Sequence, residues 1–337
     1  MDAQKIPATV ITGFLGAGKT TLIRRILATA NGKRLALIIN EFGDLGIDGE
    51  ILADCGDKTC QKDEIVELTN GCICCTVAED FVPTITKLME RDPLPDHIVI
   101  ETSGLSLPQP LVNAFNWPQI REQLILDGVV TVVDSEAIAE GSFSNNRQKK
   151  TEIIDHSSSL EELFKDQIIS ADLIILNKMD LIGREHVVAV ETAVRDATLS
   201  PVKFIHAGKD SVPGADVLLG LDIVTNIVHH QDVHEHDHDH FKNLVISGGT
   251  VLDIEILKTG LAFIIARHDI LRVKGFVAVV GKPMRLVVQA VGQRIDTYFD
   301  RNWGLMERQE SSLVIIGYSD MDVEKITEGI KGVLGEI

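Results

Sequence analysis

The sequence predicts an α/β protein: a doubly wound, mostly parallel sheet with helices on both faces, followed by a small α+β domain. Three observations carry this. Short apolar, β-branched runs alternate with helical patterns through residue 228. A Gly-rich turn joins the first strand to the first helix. A polar tract rich in His and Asp, at 229–241, then breaks the rhythm, and strands cluster after it. The expected division is therefore a first domain over 1–228, a linker over 229–241 and a second domain over 242–337.

Taken in order, strands are expected at 8–12, 35–40, 97–101, 129–134, 173–177 and 202–206. Helices are expected at 20–30, 79–90 and 217–228, with further helical segments between the later strands. Beyond the linker, the pattern reads as a helix at 251–267, strands at 270–280, 284–291 and 312–317, and a last helix at 322–334. Gly281-Lys282-Pro283 marks a turn between the first two of those strands.

The 337 residues are 45% hydrophobic and 24% charged, which fits a globular chain of two domains. The net charge is −18. From Phe241 onward, 12 basic and 12 acidic residues balance, so the first 240 residues carry the excess, 20 basic against 38 acidic. No basic patch offsets it, so neither nucleic acid nor an anionic membrane is an expected partner. No apolar run has the length of a membrane span and no leader is visible, so the expected location is the cytoplasm.

Gly13-Phe14-Leu15-Gly16-Ala17-Gly18-Lys19-Thr20 fits G-x-x-x-x-G-K-[ST] and lies between a strand and a helix, the context this phosphate-binding loop requires. Glycines let backbone N–H groups turn towards phosphate oxygens, and the helix N-terminus adds positive potential. Gly13, Gly16, Ala17, Gly18 and Thr21 belong to this nucleotide site; Lys19 is expected to reach the β/γ-phosphates and Thr20 to ligate Mg²⁺.

Asn177-Lys178-Met179-Asp180 follows a buried strand, at the sheet edge where ligands bind. A carboxylate at Asp180 accepts from the ring N–H and exocyclic amine of guanine; adenine offers no such pair. The segment therefore points to GTP and away from kinases and ATPases. Glu101, in Glu101-Thr102-Ser103-Gly104, stands at another strand end, where a carboxylate can hold the Mg²⁺ shell or orient water, a catalytic role shared with Lys19. Asn40-Glu41-Phe42-Gly43-Asp44 and Asp48 form a Gly-rich, switch-like segment, with Asp48 a further Mg²⁺ candidate.

Five Cys are present, three of them in Gly71-Cys72-Ile73-Cys74-Cys75. Such clustering suits a metal better than a disulfide framework. Thiolates select Zn²⁺, Co²⁺ and similar ions over Mg²⁺. Cys72, Cys74 and Cys75 are the expected ligands, with Glu41 a candidate to complete the sphere; Cys55 and Cys60 read as loop thiols. His234, His236, His238 and His240 in the linker could form weak auxiliary sites, since ordering a flexible tract costs entropy.

GFLGAGKT, NEFG, GCICC, ETSG and NKMD, in this order, resemble the metal-handling P-loop GTPases, and within them the CobW-type metallochaperones. The resemblance spans nearly the whole chain, His-rich linker and C-terminal domain included. It implies a GTP-dependent carrier that loads a transition metal into a target protein. DCGDKTC at 54–60, GKPMRLVVQ at 281–289 and YFDR at 298–301 are similar to the cobalamin-biosynthesis members. That similarity implies Co²⁺ as cargo, supplied to a cobaltochelatase for corrin insertion. A zinc chaperone of the same family is the alternative, because thiolate softness does not separate the two ions. A passive metal buffer and a metal-free signalling GTPase are the competing classes. One segment departs from the family pattern: the later base-contacting loop reads His206-Ala207-Gly208-Lys209 in place of a Ser-Ala form.

Overall fold

The structure is a computed structural model that describes residues 5–39, 65–67 (backbone only), 81–141, 157–220, 240–304 and 307–335. It divides into one unit over Ile6–Ala215 and a second from Asp216 onward.

The first unit is built on seven parallel strands: β1 (Ile6–Thr12), β2 (Leu35–Ile39), β3 (Ile65–Glu67), β4 (His97–Glu101), β5 (Leu124–Asp134), β6 (Leu173–Asn177) and β7 (Lys203–His206). Their order across the sheet is β3-β2-β4-β1-β5-β6-β7, so β1 lies between β4 and β5. The chain winds outward from β1 in one direction, returns through β4, and then winds outward in the other. The carboxyl end of β1 is thus the topological switch point, the usual ligand crevice of an open α/β sheet.

The strands are apolar because both faces are covered. Ala8, Val10, Ile38, Ile98 and Ile100 pack with Phe81, Ile85, Leu88 and Leu111 around the helices Val82–Met89 and Gln109–Ala114. Ile174 and Leu176 pack with Phe164, Ile168, Val190 and Val194 around Ser157–Ile169 and Arg184–Asp196. Burying one such side chain contributes roughly 1.5–3 kcal/mol. Polar residues inside the sheet are paired: Thr9 Oγ1 lies 2.9 Å from His97 Nε2 and donates to Asp127 Oδ2 at 3.4 Å, all three fully buried.

The second unit has the strands β8 (Phe241–Gly248), β9 (Thr250–Val251), β10 (Ile270–Val279), β11 (Met284–Val291), β12 (Arg294–Asn302) and β13 (Ser311–Tyr318). They form an antiparallel sheet ordered β12-β11-β10-β13-β8, with the short β9 parallel to β10. The helices Ile254–Arg267 and Val323–Leu334 cover one face, where Leu257, Leu261, Ile326 and Ile330 meet Val273, Val277, Leu313 and Ile315.

Several elements differ from the sequence expectation. The helix expected from 251 starts at Ile254, because Asp253 Oδ1 accepts from the N–H groups of Glu255 and Ile256 and caps it; Val251 belongs to β9 and pairs with Val279. Phe241, expected in the linker, opens β8. The strand expected from 129 begins at Leu124, and the helix expected at 217–228 is Ala215–Leu219, the remainder lying outside the described residues. β3, β8, β9 and β12 are strands beyond those expected: β3 and β9 are only three and two residues long, and β8 and β12 are the two edges of the second sheet, half-exposed and polar, with little apolar alternation. No helix among the described residues is long and apolar enough to cross a membrane.

Candidate functional site

Three segments from distant parts of the chain meet at the carboxyl edge of the parallel sheet. The first is the loop after β1. Gly13, Gly16 and Gly18 have φ of 137°, 78° and 103°, so this path is open to glycine and strained for other residues. Two of them also lack room: a Cβ on Gly13 would sit 2.2 Å from Val132 O, and one on Gly18 would sit 2.3 Å from Asn177 Nδ2. Gly16 faces open space. Gly18 is the N-cap of the helix Lys19–Ala28, so the loop delivers its N–H groups and the helix N-terminus to one point. Lys19 is buried and folds over the loop, its ammonium donating to Gly13 O at 2.8 Å and Phe14 O at 3.2 Å. Thr20 stands in the first helical turn, and Thr21 lines a small cavity with Gly18, Asn177 and Ala207.

The second segment follows β4. Glu101 is buried and pairs in register with Ile11, two residues before Gly13. Thr102 N donates to Ile11 O at 2.9 Å, and its hydroxyl donates to Thr12 Oγ1 at 2.8 Å. Gly104 lies so close that a Cβ there would be 2.7 Å from Leu15 N. The loop is held from behind by Gln167, whose buried side-chain amide donates to Gly104 O at 3.2 Å and Ser106 O at 3.1 Å. Thr20 and Glu101 offer the oxygen donors that Mg²⁺ prefers, so the residues present fit that ion.

The third segment follows β6. Asn177 Nδ2 donates to Ala17 O at 2.8 Å. Lys178 takes a left-handed conformation, φ 62°, and its ammonium reaches Asp134 Oδ2 at 2.6 Å. Asp180 Oδ1 accepts from Lys209 N at 3.1 Å. The loop after β7 is stitched to this segment by Ala207 N to Leu176 O at 2.8 Å and Met179 N to Ala207 O at 3.0 Å. Gly208 approaches Asp180 closely, since a Cβ there would lie 2.7 Å from Asp180 Oδ1 and the carboxylate would have to shift. The departure at His206-Ala207-Gly208-Lys209 therefore still brings Ala207–Lys209 beside Asp180, while the His206 ring pairs with Glu191 at 2.8 Å.

Asp134 and Gln167 join the site through the tertiary structure and are not among the residues that the motifs single out. Asp134 carried a readable signal, an acid at a strand end like Glu101; Gln167 sits inside a helical pattern and carried none. Asn40, Glu41, Asp44, Asp48, Cys55, Cys60, Cys72, Cys74, Cys75, His234, His236 and His238 lie outside the described residues. His240 lies in the turn before β8, exposed, with its carbonyl accepting from Ser319 N at 3.0 Å. Among the described residues no His, Cys, Asp and Glu cluster of three or more is placed to hold a metal.

A glycine-lined loop and helix N-terminus at the switch point, tied to an N-K-x-D segment, define the P-loop class of nucleotide-binding proteins. Residues 7–205 match the family described as "CobW/HypB/UreG, nucleotide-binding domain", and residues 223–334 match "Cobalamin synthesis protein cobW C-terminal domain". The chain belongs to the CobW/HypB/UreG family. It is 53% identical to a protein of Sinorhizobium sp named zinc chaperone CobW, over 97% of this chain and 96% of the relative. It is 44% identical to a zinc chaperone CobW of Pseudomonas aeruginosa, over 98% and 92% of the two chains. It is 30% identical to the zinc chaperone YjiA of Escherichia coli, over 93% and 94%.

Proposed function

We propose that this chain is a GTP-hydrolysing metallochaperone that carries Zn²⁺ to a target protein. The observation that carries the nucleotide half is the Asn177–Ala17 hydrogen bond of 2.8 Å, which sets the guanine-reading segment against the phosphate loop. In this reading the N–H groups of 13–18 orient the phosphates, Lys19 offsets their charge, Asp180 reads guanine, and Glu101 acts at the γ-phosphate end. Mg²⁺, held by Thr20 and a carboxylate among Glu101 and Asp48, would neutralise charge developing between the β- and γ-phosphates.

The metal half is supported by placement in the chain. Glu41 follows Ile39, the last residue of β2, by two positions, and Cys72 follows Glu67, the last residue of β3, by five. Both strands are parallel to β1, so both chain exits are at the nucleotide edge, and five residues span at most about 17 Å. Thiolates from Cys72, Cys74 and Cys75 with Glu41 would then form a site that the switch-like segment can assemble or release. The names of the relatives support Zn²⁺ as cargo over the Co²⁺ that the cobalamin-biosynthesis resemblance implied. Co²⁺ delivery to a cobaltochelatase stands as the second reading, favoured by the description of the C-terminal family.

The test measures Zn²⁺ and Co²⁺ affinity without nucleotide, with Mg·GDP, and with Mg and a non-hydrolysable GTP analogue. Both the unmodified chain and Cys74→Ser/Cys75→Ser are used. The GTP analogue should tighten metal binding, and metal should tighten the analogue by the same factor, a coupling of about 1–3 kcal/mol. The Ser variant should lose both effects. Metal affinity identical in the GDP and GTP-analogue states would reject a chaperone cycle and leave a passive buffer.

A further inference from the structure

We propose that Asp134 is a positioning residue of the base site: it tethers Lys178 so that the lysine methylenes form a fixed platform against the purine face. This rests on the nucleotide reading above and adds a residue to it.

Asp134 ends β5 and pairs in register with Asn177, the residue before Lys178. Its side chain is 1% exposed and both oxygens are engaged. Oδ1 accepts from Ala137 N at 3.1 Å, capping the helix Ser135–Ala139, and Oδ2 holds the Lys178 ammonium at 2.6 Å. The carboxylate is therefore oriented by the helix cap as well as by the lysine. Lys178 is fixed at its other end by a left-handed backbone. A lysine anchored at both ends has lost most of its rotamer freedom, and only its methylenes remain to meet a ligand. Each polar member of the segment thus has its own anchor: Asn177 on the phosphate loop, Lys178 on Asp134, Asp180 on the N–H of Lys209.

Methylenes cover a flat ring without reading its edge, so the tether should act on purine binding in general, and on binding more than on chemistry. The experiment compares GDP and IDP affinity, and KM and kcat for GTP, in Asp134→Asn, Lys178→Met and the double variant. The Asn side chain can still accept from Ala137 N, which separates the tether from the helix cap. Asp134→Asn should weaken GDP and IDP alike by about five- to tenfold, raise KM equally and leave kcat in place. Lys178→Met should show the same loss, and the double variant should bind no worse than Lys178→Met alone. Unchanged affinity in Asp134→Asn, or losses that multiply in the double variant, would leave Asp134 as a helix cap only. If Asp134→Asn does not fold, Lys178→Met decides: GDP binding equal to the unmodified chain overturns the proposal. Failure of the guanine reading is seen separately, as ADP binding equal to GDP in the unmodified chain; the coupling is then read with ADP.

Discussion

Asn177 donates its side-chain amide to the carbonyl of Ala17 at 2.8 Å, bridging residues 160 positions apart. Asn177→Ala leaves that carbonyl without this donor in a largely buried setting, at a cost of about 1–2 kcal/mol. GDP affinity should fall about tenfold, and Asn177→Asp should do worse, because a carboxylate faces the carbonyl. Titration with a fluorescent GDP analogue checks this; an unaltered Kd in both variants would show that the bridge does not support binding.

The loop glycines should separate. At Gly16 a methyl group meets open space, so Gly16→Ala carries only the left-handed strain, about 1–2 kcal/mol. Gly18→Ala adds a collision with Asn177 Nδ2 and should break the same bridge. Its combined cost of about 3 kcal/mol corresponds to at least about a 100-fold loss of nucleotide affinity. Comparable losses in the two variants would contradict the packing argument.

Asp180→Asn keeps an acceptor for the N–H of Lys209, so the loop at 207–209 stays in place while the base-reading chemistry changes. GTP should weaken by about 1–3 kcal/mol, and xanthine nucleotides should gain relative to GTP, since donor and acceptor exchange. Competition among GTP, XTP and ATP provides the readout. Equal affinity of the unmodified chain for GTP and ATP would remove guanine recognition altogether.

In the second unit, hydrogen bonds from Arg301 hold the Glu307 carboxyl down at about 2, from an ordinary 4.5, against the upward push of burial; Gly304 N–H and Arg285 assist. A lowered carboxyl pKa in the folded state stabilises above the unfolded value and loses that contribution as pH falls. Stability should therefore decline between pH about 4.5 and 2. Solvent screening keeps the amount small and salt-sensitive. Urea midpoints followed across this range should show a shallower acid decline for Glu307→Gln. Parallel pH profiles for the two proteins would show that the pair contributes nothing.

Apart from β3 and the start of β5, the strand positions and phosphate loop of the first unit were legible, because a strand buried on both faces is apolar along most of its length, as β2 and β6 are. The second unit was less legible where water touches it. Arg294, Asp296 and Arg301 make β12 polar, yet the strand pairs along β11 from Met284 to Val291. The two C-terminal runs that carried the family resemblance turn out to be cross-strand neighbours: Leu286 pairs with Phe299, Val287 with Tyr298, and Arg285 forms a buried bidentate pair with Asp300.

The sequence alone determined which chemistry is present: a glycine-spaced loop, an N-K-x-D segment, a strand-end Glu101 and a run of thiols at Cys72–Cys75. Each is a short stretch whose residue types and spacing state their own requirement. Only the tertiary structure decided what holds those groups in place. Asp134 lies 44 residues from Lys178, and Gln167 lies 63 from Gly104. Their hydrogen bonds form because parallel strands with helical crossovers bring the ends of β4, β5 and β6 to one edge, next to the helices that cover them. Periodicity reports which face of an element is buried; it does not report which polar group on a distant element completes a given donor or acceptor.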